Sequence, residues 1–286
     1  MNYINATIDK LKDLIKADLH THTNFSDGSL KPSQLIDLSY NSGIRILSIT
    51  DHDNVFALNE AIRRGKEIGV QVIPGVELSA DFNEREIHIL GYFIDHTNKK
   101  LLDFLNTLRK KRVVRTNQII EKLNELGCKI NLNSDYNLNN NISIGRPHIA
   151  IKLVKEGCAA SYNDAFIKYL GDDKPAYVKK PNPSSKEIIN LISETGGLSF
   201  LAHPGKNFRD ESLQELIDLG IDGIETIHPS HSEQDTEFFN NIASENFLLT
   251  SGGSDFHGGM KNDQKNFGKY FVTNNELINM KRRLFN

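Results

Sequence analysis

Short apolar runs rich in β-forming residues alternate with stretches of helical spacing, and this alternation limits the possible folds more than any other feature of the chain. Seven such runs occur, and nearly all of them end in His, Asp or Glu. They are 16–23, 44–53, 70–78, 86–94, 197–205, 221–229 and 247–258. The pattern predicts an α/β protein with a mostly parallel sheet whose strand ends meet on one face. Seven runs rather than eight favour an irregular (β/α)7-type barrel over a regular eight-stranded one.

The β pattern stops between the fourth and fifth runs for about a hundred residues, which is too long for a connection in a compact domain. Apolar residues recur there at helical spacing, and the segments GRPHIAIKLVKEG and SYNDAFIKYLG predict further helices, the second capped by Ser161 with Asp164. We therefore predict a helical insertion at 100–185, capping the mouth of a barrel formed by 1–99 and 186–286. Within it, the Asn-rich stretch 131–141 predicts a loop.

The N-terminal residues predict neither a signal peptide nor a membrane anchor. Residues 1–16 place four apolar side chains at helical spacing among charged ones, which is typical of a short amphipathic helix. No segment approaches the ~18 consecutive apolar residues of a membrane span. The only two cysteines, Cys128 and Cys158, exclude a disulfide framework and suit a reducing compartment. We therefore expect a cytoplasmic protein with no membrane partner.

The composition also limits the partners. The 286 residues carry 34 Lys and Arg against 37 Asp and Glu, a formal net charge of -3. That balance leaves no global positive charge to hold long double-stranded nucleic acid by counterion release. Any contact with nucleic acid must be local, and no feature of the sequence predicts an oligomeric state.

Residues suited to metal binding concentrate at the ends of the predicted strands. His20 and His22 are two apart in an extended run, so both side chains point to the same side and can reach one ion. A single pair of this kind is more often ordinary polar surface. Similar residues follow at the other strand ends: Asp27, His52, Glu77, His88, His203, Asp255 and His257. Brought together without metal they would suffer desolvation and mutual repulsion, whereas divalent cations compensate the carboxylates and use the imidazole lone pairs.

The segments that carry these residues resemble the PHP domain, a family named for its polymerase and histidinol-phosphatase members. They are DLHTHTNFSDG, ITDHD, GVEL, IHILGY, AHPG and SDFHG, and the resemblance covers nearly the whole chain. Together with the segment GRPHIA, their order is most similar to a phosphoesterase subgroup that includes 3',5'-nucleoside bisphosphate phosphatases, also described as acting on short RNA 5' ends. The resemblance implies the PHP fold with a helical insertion before the strand that leads into AHPG.

The resemblance also implies two or three divalent metal ions. The first metal would be held by His20, His22, Glu77 and Asp255. The second would be held by Asp27, His52 and His257, with Glu77 bridging, and His88 and His203 would form a third site with Glu77. Because some relatives have histidine where Asp27 stands, the second site here is expected to be richer in oxygen, which favours manganese, iron or zinc over a purely zinc-like preference.

Several other residues are candidates for contact with the substrate or for support of the ligands. In GRPHIA, Arg146 suits bidentate capture of a phosphate, with His148 beside it; the alternative is an exposed arginine at a helix N-terminus. In IHPSHS, His228 and His231 are implied phosphate or leaving-group contacts, with His231 favoured, although relatives usually carry tyrosine where Thr226 and Ile227 stand. Three aspartates are possible orienters of the imidazoles, and the basic run 109–115 is either a solvated helix face or a phosphate attractor. These aspartates are Asp18, Asp51 and Asp53.

The implied activity is metal-assisted hydrolysis of a phosphate ester of a nucleotide by a hydroxide that bridges the metals, with His203 or His231 protonating the leaving oxygen. The resemblance implies 3',5'-nucleoside bisphosphates losing the 3'-phosphate, or short RNA 5' ends, as substrates. Two alternatives remain at this stage. The first is a phosphatase for histidinol phosphate or another small molecule, and the second is a non-catalytic, metal-stabilised binding module.

Overall fold

The seven predicted strands are all present in one sheet. A computed structural model describes residues 15–132, 141–209 and 211–285. Apart from Ile15 and Lys16, the predicted N-terminal helix lies outside these residues, as does most of the Asn-rich stretch 131–141. The strands are β1 (Lys16–Asp18), β2 (Ile44–Ile49), β3 (Gln71–Phe82), β4 (Arg85–Tyr92), β5 (Leu198–Leu201), β6 (Gly223–Ile227) and β7 (Leu249–Gly252).

The strands follow one another across the sheet in sequence order, and one of them runs against the rest. β1, β2 and β3 pair in parallel, as do β5, β6 and β7, whereas β4 is antiparallel to both β3 and β5. The reversal is made by a two-residue turn, Asn83 and Glu84, in which both residues have positive φ, 51° and 66°. A turn of this kind matches the twist of a hairpin but usually contains Gly, so its sequence gave no hairpin signal. The sheet is thus mostly parallel, as predicted, and β4 is its one antiparallel strand.

Backbone hydrogen bonds join the segments that follow the two outer strands. The Leu19 N–H donates to the carbonyl of Gly252 (3.1 Å), and the His22 N–H donates to that of Phe256 (2.9 Å). The ladder between β1 and β7 is itself open, but these bonds bring the two ends of the sheet together. The predicted α/β architecture with seven strands is confirmed.

Helices lie between the strands, as the sequence predicts. They are α1 (Pro32–Asn41), α2 (Leu58–Ile68), α3 (Lys99–Glu125), α4 (Arg146–Lys155), α5 (Tyr162–Ala165), α6 (Ser185–Glu194), α7 (Ser212–Asp218), α8 (Glu233–Glu245) and α9 (Asn274–Phe285). A π-helical turn, Phe166–Leu170, directly follows α5. The predicted cap at Ser161 is confirmed, because its side chain accepts the Asp164 N–H. Among the described helices, none combines the length and the apolar character needed to cross a membrane.

The long helix α3 contributes to two separate hydrophobic cores. Its first half places Leu101, Leu105 and Leu108 in the main core, against residues of the sheet and of α6. Its second half places Ile119 and Leu123 in a smaller core built by α4, α5 and the π-helical turn. The described part of 100–185 therefore contains helices and no strand, while its bounds and its status as a separate subdomain stay predictions.

Candidate metal centre

The candidate ligands come together at one end of the sheet. His20, His22 and Asp27 follow β1, and His52 follows β2. Glu77 lies within β3 and His88 within β4, while His203 follows β5 and Asp255 with His257 follow β7. Because β4 is antiparallel, His88 reaches the cluster from the early part of its strand, where it pairs with Ser79. The strand-end pattern thus identifies these residues even though one strand runs the other way.

The four side chains predicted to hold the first metal lie close to one another. The Nε2 atoms of His20 and His22 each lie 3.4 Å from Glu77 Oε2, and they lie 3.4 and 3.1 Å from Asp255 Oδ1. Ligand atoms of one tetrahedral metal with bonds of about 2.1 Å are about 3.4 Å apart. The spacing therefore suits a shared cation.

Glu77 is the centre of the cluster. Its carboxylate is buried, and its Oε1 lies 2.7 Å from His88 Nδ1 and 3.1 Å from His203 Nε2. Its Oε2 lies 3.0 Å from His52 Nδ1, in addition to the contacts with His20 and His22. One carboxylate thus faces five imidazoles, which is the arrangement that a bridging ligand requires.

Asp27 forms a second group with His52 and His257. Asp27 Oδ1 lies 3.3 Å from His257 Nε2, and Asp27 Oδ2 lies 3.8 Å from His52 Nε2. His257 Nδ1 lies 2.7 Å from the carbonyl oxygen of Asp255, so Nδ1 is the protonated nitrogen and Nε2 presents its lone pair. The ammonium of Lys261 contacts two members of this group: its Nζ lies 2.7 Å from His257 Nε2 and 3.0 Å from Asp27 Oδ2.

Buried ligand atoms that lack hydrogen-bond partners indicate whether this site is suited to metal ions. Among the described residues, seven ligand atoms of the cluster are buried with no hydrogen-bond partner, although Asp27 Oδ2 has an ion pair with Lys261. They are His20 Nε2, His22 Nε2, Asp27 Oδ1, Asp27 Oδ2, His52 Nδ1, Glu77 Oε2 and His88 Nδ1. Buried polar atoms are normally paired, because each unpaired one costs about 1–3 kcal/mol. A donor set of imidazole nitrogens and carboxylate oxygens with unused lone pairs fits divalent cations.

The protonation states follow from burial and from the carboxylates. Burial lowers the pKa of His22 to about 4, so this ring keeps a lone pair for a metal. Burial also lowers the pKa of His88, but the Glu77 carboxylate outweighs it and raises that pKa to about 9. Because metal ligands must be deprotonated, metal binding at His88 is coupled to release of its proton.

Two of the candidate ligands have a strained backbone conformation. His203 and Asp255 have positive φ, 30° and 49°, a conformation that non-glycine residues rarely adopt. Nearby, Gly253 allows β7 to approach β1 closely, because a Cβ there would lie 2.4 Å from the backbone nitrogen of His20. Strain of this kind concentrates at functional sites, where the surrounding structure holds it in place.

Glu225 is a buried support that the sequence reasoning missed. It lies in β6 and is fully buried, with Oε1 2.9 Å from His20 Nδ1. Its Oε2 accepts the backbone N–H of His203 at 2.8 Å. The Glu225 carboxylate thus orients the imidazole of His20, a candidate ligand of the first metal. It also fixes the loop that carries His203, a candidate ligand of the third. A charged residue inside the apolar run IDGIETI was the signal that could have revealed it.

We expect Glu225→Gln to weaken manganese binding about 10- to 100-fold, because the amide loses the charge that holds the His20 ring and has one acceptor fewer. Isothermal titration of metal-free protein measures the effect. Glu245→Gln, an exposed carboxylate on α8, is the control and should bind as the wild type does. Unchanged affinity in the Glu225 variant would show that His20 is oriented without it.

The three aspartates predicted as orienters contact other groups. Asp18 accepts the backbone N–H groups of His20 and Ser254, and burial raises its pKa to about 7. Asp51 accepts the N–H and the hydroxyl of Thr23 and the hydroxyl of Ser26, so it braces the loop that leads to Asp27. Neither aspartate contacts an imidazole nitrogen directly, but the Ser26 hydroxyl also lies 3.4 Å from His22 Nδ1, so an indirect orienting role for Asp51 stays a prediction.

Asp53 forms a buried ion-pair cluster with two cations. Its Oδ2 lies 2.5 Å from Arg112 Nε and 3.3 Å from Lys180 Nζ. Burial raises the pKa of Asp53, but the two cations outweigh it and hold the pKa well below its usual range.

The basic run of α3 is only partly a solvated helix face. Three of its arginines are buried, whereas two lysines between them are exposed, so the prediction of a solvated face holds for the lysines alone. The buried residues are Arg109, Arg112 and Arg115, and the exposed ones are Lys110 and Lys111.

A cavity of about 210 Å³ separates the metal cluster from the helical insertion. Asp27, His52 and His88 of the metal cluster line it together with several cations. These cations are Arg112, Arg115, Arg146, Lys180 and Lys261. The predicted phosphate ligand Arg146 therefore faces the cavity, although one of its nitrogens also pairs with Asp172 (2.8 Å).

His148 also lines this cavity, and both of its ring nitrogens have partners. Nε2 lies 2.8 Å from the carbonyl oxygen of Ser26, and Nδ1 accepts the Gly145 N–H. The ring thereby holds the residue that precedes Asp27. Its predicted contact with substrate stays a prediction.

His228 lies closer to the ligands than His231, contrary to the predicted preference. His228 Nε2 is 3.5 Å from Asp255 Oδ2, and it is buried with no hydrogen-bond partner in the part of the chain that the structure describes. His231 has both ring nitrogens bonded to the backbone, Nδ1 to the Thr226 carbonyl and Nε2 to the Gly205 N–H. The geometry therefore favours His228 for a role at the reacting phosphate.

Comparison with known proteins agrees with this geometry. The sequence matches the family model of the PHP domain over residues 18–219. The chain belongs to the PHP domain family. That match includes the first six candidate metal ligands, and His203 with them.

Relatives within the PHP family are similar over most of their length. A 5'-3' exoribonuclease of Haemophilus influenzae is 33% identical over 85% of this chain and 90% of its own. A 3',5'-nucleoside bisphosphate phosphatase of Chromobacterium violaceum is 33% identical over 84% of this chain and 86% of its own. A solved structure from Bifidobacterium adolescentis, described as a metal-dependent phosphoesterase, has a TM-score of 0.86 at 30% identity and covers 93% of this chain and 95% of that one.

The chain is thus a metal-dependent phosphoesterase of the PHP family, and a hydrolase of phosphoric esters. The groups of His, Asp and Glu at the end of the sheet are suited to divalent cations. The alternative of a non-catalytic binding module does not agree with these relatives.

Proposed function

We propose that this PHP phosphoesterase removes the 3'-phosphate from 3',5'-nucleoside bisphosphates. The phosphate to be cleaved would lie at the metal centre, and the phosphate to be retained would lie in the basic cavity beside it. The observation that carries this proposal is Arg115, a buried guanidinium that faces the cavity.

Arg115 carries a positive charge and a hydrogen-bond donor that no described protein group pairs with. Its Nε donates to the Val178 carbonyl at 2.7 Å, but its Nη2 is buried with no hydrogen-bond partner and makes no ion pair within the described residues. Burial and the nearby Arg146 lower its pKa to about 10, so the guanidinium stays charged at neutral pH. Burial of an unpaired cation costs free energy unless an anion forms an ion pair with it. A second phosphate of the substrate is such an anion.

The other cations of the cavity are partly neutralised by the protein. Arg112 and Lys180 share Asp53, and Arg146 has Asp172. The cavity therefore combines one unpaired guanidinium with neighbours that can add hydrogen bonds to a bound phosphate. A substrate with a single phosphate, held by the metals, leaves Arg115 unpaired, which supports a bisphosphate over histidinol phosphate.

The chain's own residues divide the chemical work. His20, His22, Glu77 and Asp255 would hold one cation, Asp27, His52 and His257 a second, and His88 with His203 and Glu77 a third. Bound divalent cations supply Lewis acidity and lower the pKa of water. His228 lies next to these ligands and would donate a proton to the leaving oxygen, with His231 behind it; His203 would have this role only while the third cation site is empty. General acid catalysis of this kind contributes about 10²- to 10⁴-fold.

Arg115→Ala tests the proposal. We expect KM for 3'-phosphoadenosine 5'-phosphate to rise at least about tenfold, because charge-assisted hydrogen bonds contribute about 1.5–3 kcal/mol each. Hydrolysis of p-nitrophenyl phosphate, which has one phosphate, should be unchanged. Phosphate release in the presence of manganese measures both reactions.

The control variant is Lys111→Ala, which removes an exposed charge from the same helix and should leave both reactions unchanged. Equal loss with both substrates would show that Arg115 does not bind a second phosphate. Faster turnover of histidinol phosphate than of the bisphosphate by the wild type would overturn the substrate proposal while leaving the phosphoesterase activity intact.

The second candidate substrate is a short RNA with a 5'-phosphate, and an adjoining groove favours it. This groove, of about 350 Å³, shares Glu86, Arg146 and Lys180 with the first cavity and continues past Arg85 and Lys179, with the carboxylates of Asp81 and Asp172 also in its lining. A chain of nucleotides would extend along it, with its backbone phosphates near the two additional cations. Higher kcat/KM for a 5'-phosphorylated trinucleotide than for the bisphosphate would favour the RNA.

A further inference from the structure

The ammonium of Lys261 lies where a cation would be held by two candidate metal ligands. Its Nζ is 2.7 Å from His257 Nε2 and 3.0 Å from Asp27 Oδ2. His257 Nε2 is a nitrogen with an available lone pair, because Nδ1 lies 2.7 Å from the Asp255 carbonyl and carries the proton. Asp27 is buried, at 5% exposure. The lysine thus uses the atoms that the second metal would need.

The charges explain why a lysine is stable there. Asp27 is a carboxylate in a low-dielectric site, and the imidazoles around it are neutral when they act as ligands. Without a cation its charge is left uncompensated, which is costly. The ammonium of Lys261 provides one positive charge on a flexible stem, and its side chain is still 30% exposed. The stem can therefore move without disturbing a packed core.

We propose that Lys261 is an internal competitor for the second metal site. Its ammonium neutralises Asp27 in the metal-free chain, and a divalent cation must displace it to bind Asp27 and His257. This inference rests on the assignment of those two residues as ligands of the second metal.

Displacement moves the ammonium towards the substrate. Lys261 lines the same cavity as Arg112, Arg115 and Lys180, so a side chain that leaves Asp27 remains beside the proposed phosphate position. The competition thus couples two events: filling of the second metal site and release of one more cation into the cavity. It also predicts that the second metal binds more weakly than its donor set alone would suggest.

Manganese titration of metal-free protein tests the inference without any assay of activity. The signal of free manganese in electron paramagnetic resonance gives the number of bound ions and their affinities. We expect Lys261→Met to bind its most weakly held manganese about tenfold more tightly than the wild type. Loss of the competing ammonium and loss of its repulsion towards the bound ion act in the same direction. Damage to the fold would weaken binding instead.

Two further variants separate the possible failures. Lys265→Met removes an exposed lysine from the same loop and should bind manganese as the wild type does. Asp27→Asn should lose one bound manganese; if it retains all of them at unchanged affinity, the ligand assignment is wrong and the inference fails with it. If Asp27→Asn loses an ion but Lys261→Met shows unchanged or weaker binding, the competition alone is overturned.

Discussion

Glu77→Gln should lower kcat for phosphate release at least about 10³-fold, the largest effect on activity that we expect from a single substitution. The reason is its position: one buried carboxylate faces five imidazoles within 3.4 Å, through both of its oxygens. An amide in its place has a single acceptor oxygen and no charge, so every metal group that shares Glu77 loses a ligand.

The stability of the same variant gives an independent measure. A ligand that binds only the folded state stabilises it by about 2.7 kcal/mol at a concentration of 100 Kd. Manganese should therefore raise the melting temperature of the wild type and leave that of Glu77→Gln nearly unchanged. Glu84→Gln, at the exposed turn between β3 and β4, is the control and should behave as the wild type. A Glu77 variant that kept both activity and the manganese-dependent shift would refute the bridging role.

Asp53→Asn should have the largest effect on stability, a loss of about 3–5 kcal/mol in the free energy of unfolding at neutral pH. The substitution leaves the guanidinium of Arg112 and the ammonium of Lys180 buried without their shared carboxylate. Urea unfolding in the presence of a chelator measures the loss without a contribution from metals. Asp37→Asn removes the partner of Arg64 in an exposed ion pair and should cost less than about 1 kcal/mol.

The effect of Asp53 should depend on pH with a definite sign. Its pKa in the folded chain is lower than the ordinary value of 3.8, so its contribution to stability is fully present above that value. The contribution is lost as pH falls below about 4 and the unfolded chain takes up a proton first. The difference between wild type and Asp53→Asn should therefore shrink in acid. A difference that stayed constant down to pH 3 would contradict the ion-pair explanation.

The sequence predicted most of the fold because the seven strands are short, apolar and separated by helices. The reversal of β4 escaped prediction, since its turn consists of Asn83 and Glu84, whose residue types do not require positive φ. The two cores of α3 also escaped it, because periodicity shows which face of a helix is apolar but not which partner covers it.

The candidate ligands could be identified in advance because their residue types are uncommon at the ends of apolar runs. Their supports could not. Glu225 and Lys261 come from distant parts of the chain, and the contacts that give them a role exist only after folding. Arg112 and Arg115 belong to a basic run whose buried face depends on how α3 meets the sheet. The order of His228 and His231 likewise follows from which ring nitrogens the backbone occupies.

The length of α3 limits where segments can be exchanged between this chain and its relatives in chimeric proteins. The helix is about 40 Å long, and one continuous rod carries both the leucines of the main core and the guanidinium proposed to select the substrate. A chimera that swapped residues 100–185 as a cassette would remove Leu101, Leu105 and Leu108 from the main core. Exchange points are therefore better placed in the middle of the helix, past Arg112. Transplanting a new specificity into this scaffold requires a graft within a helix rather than between domains.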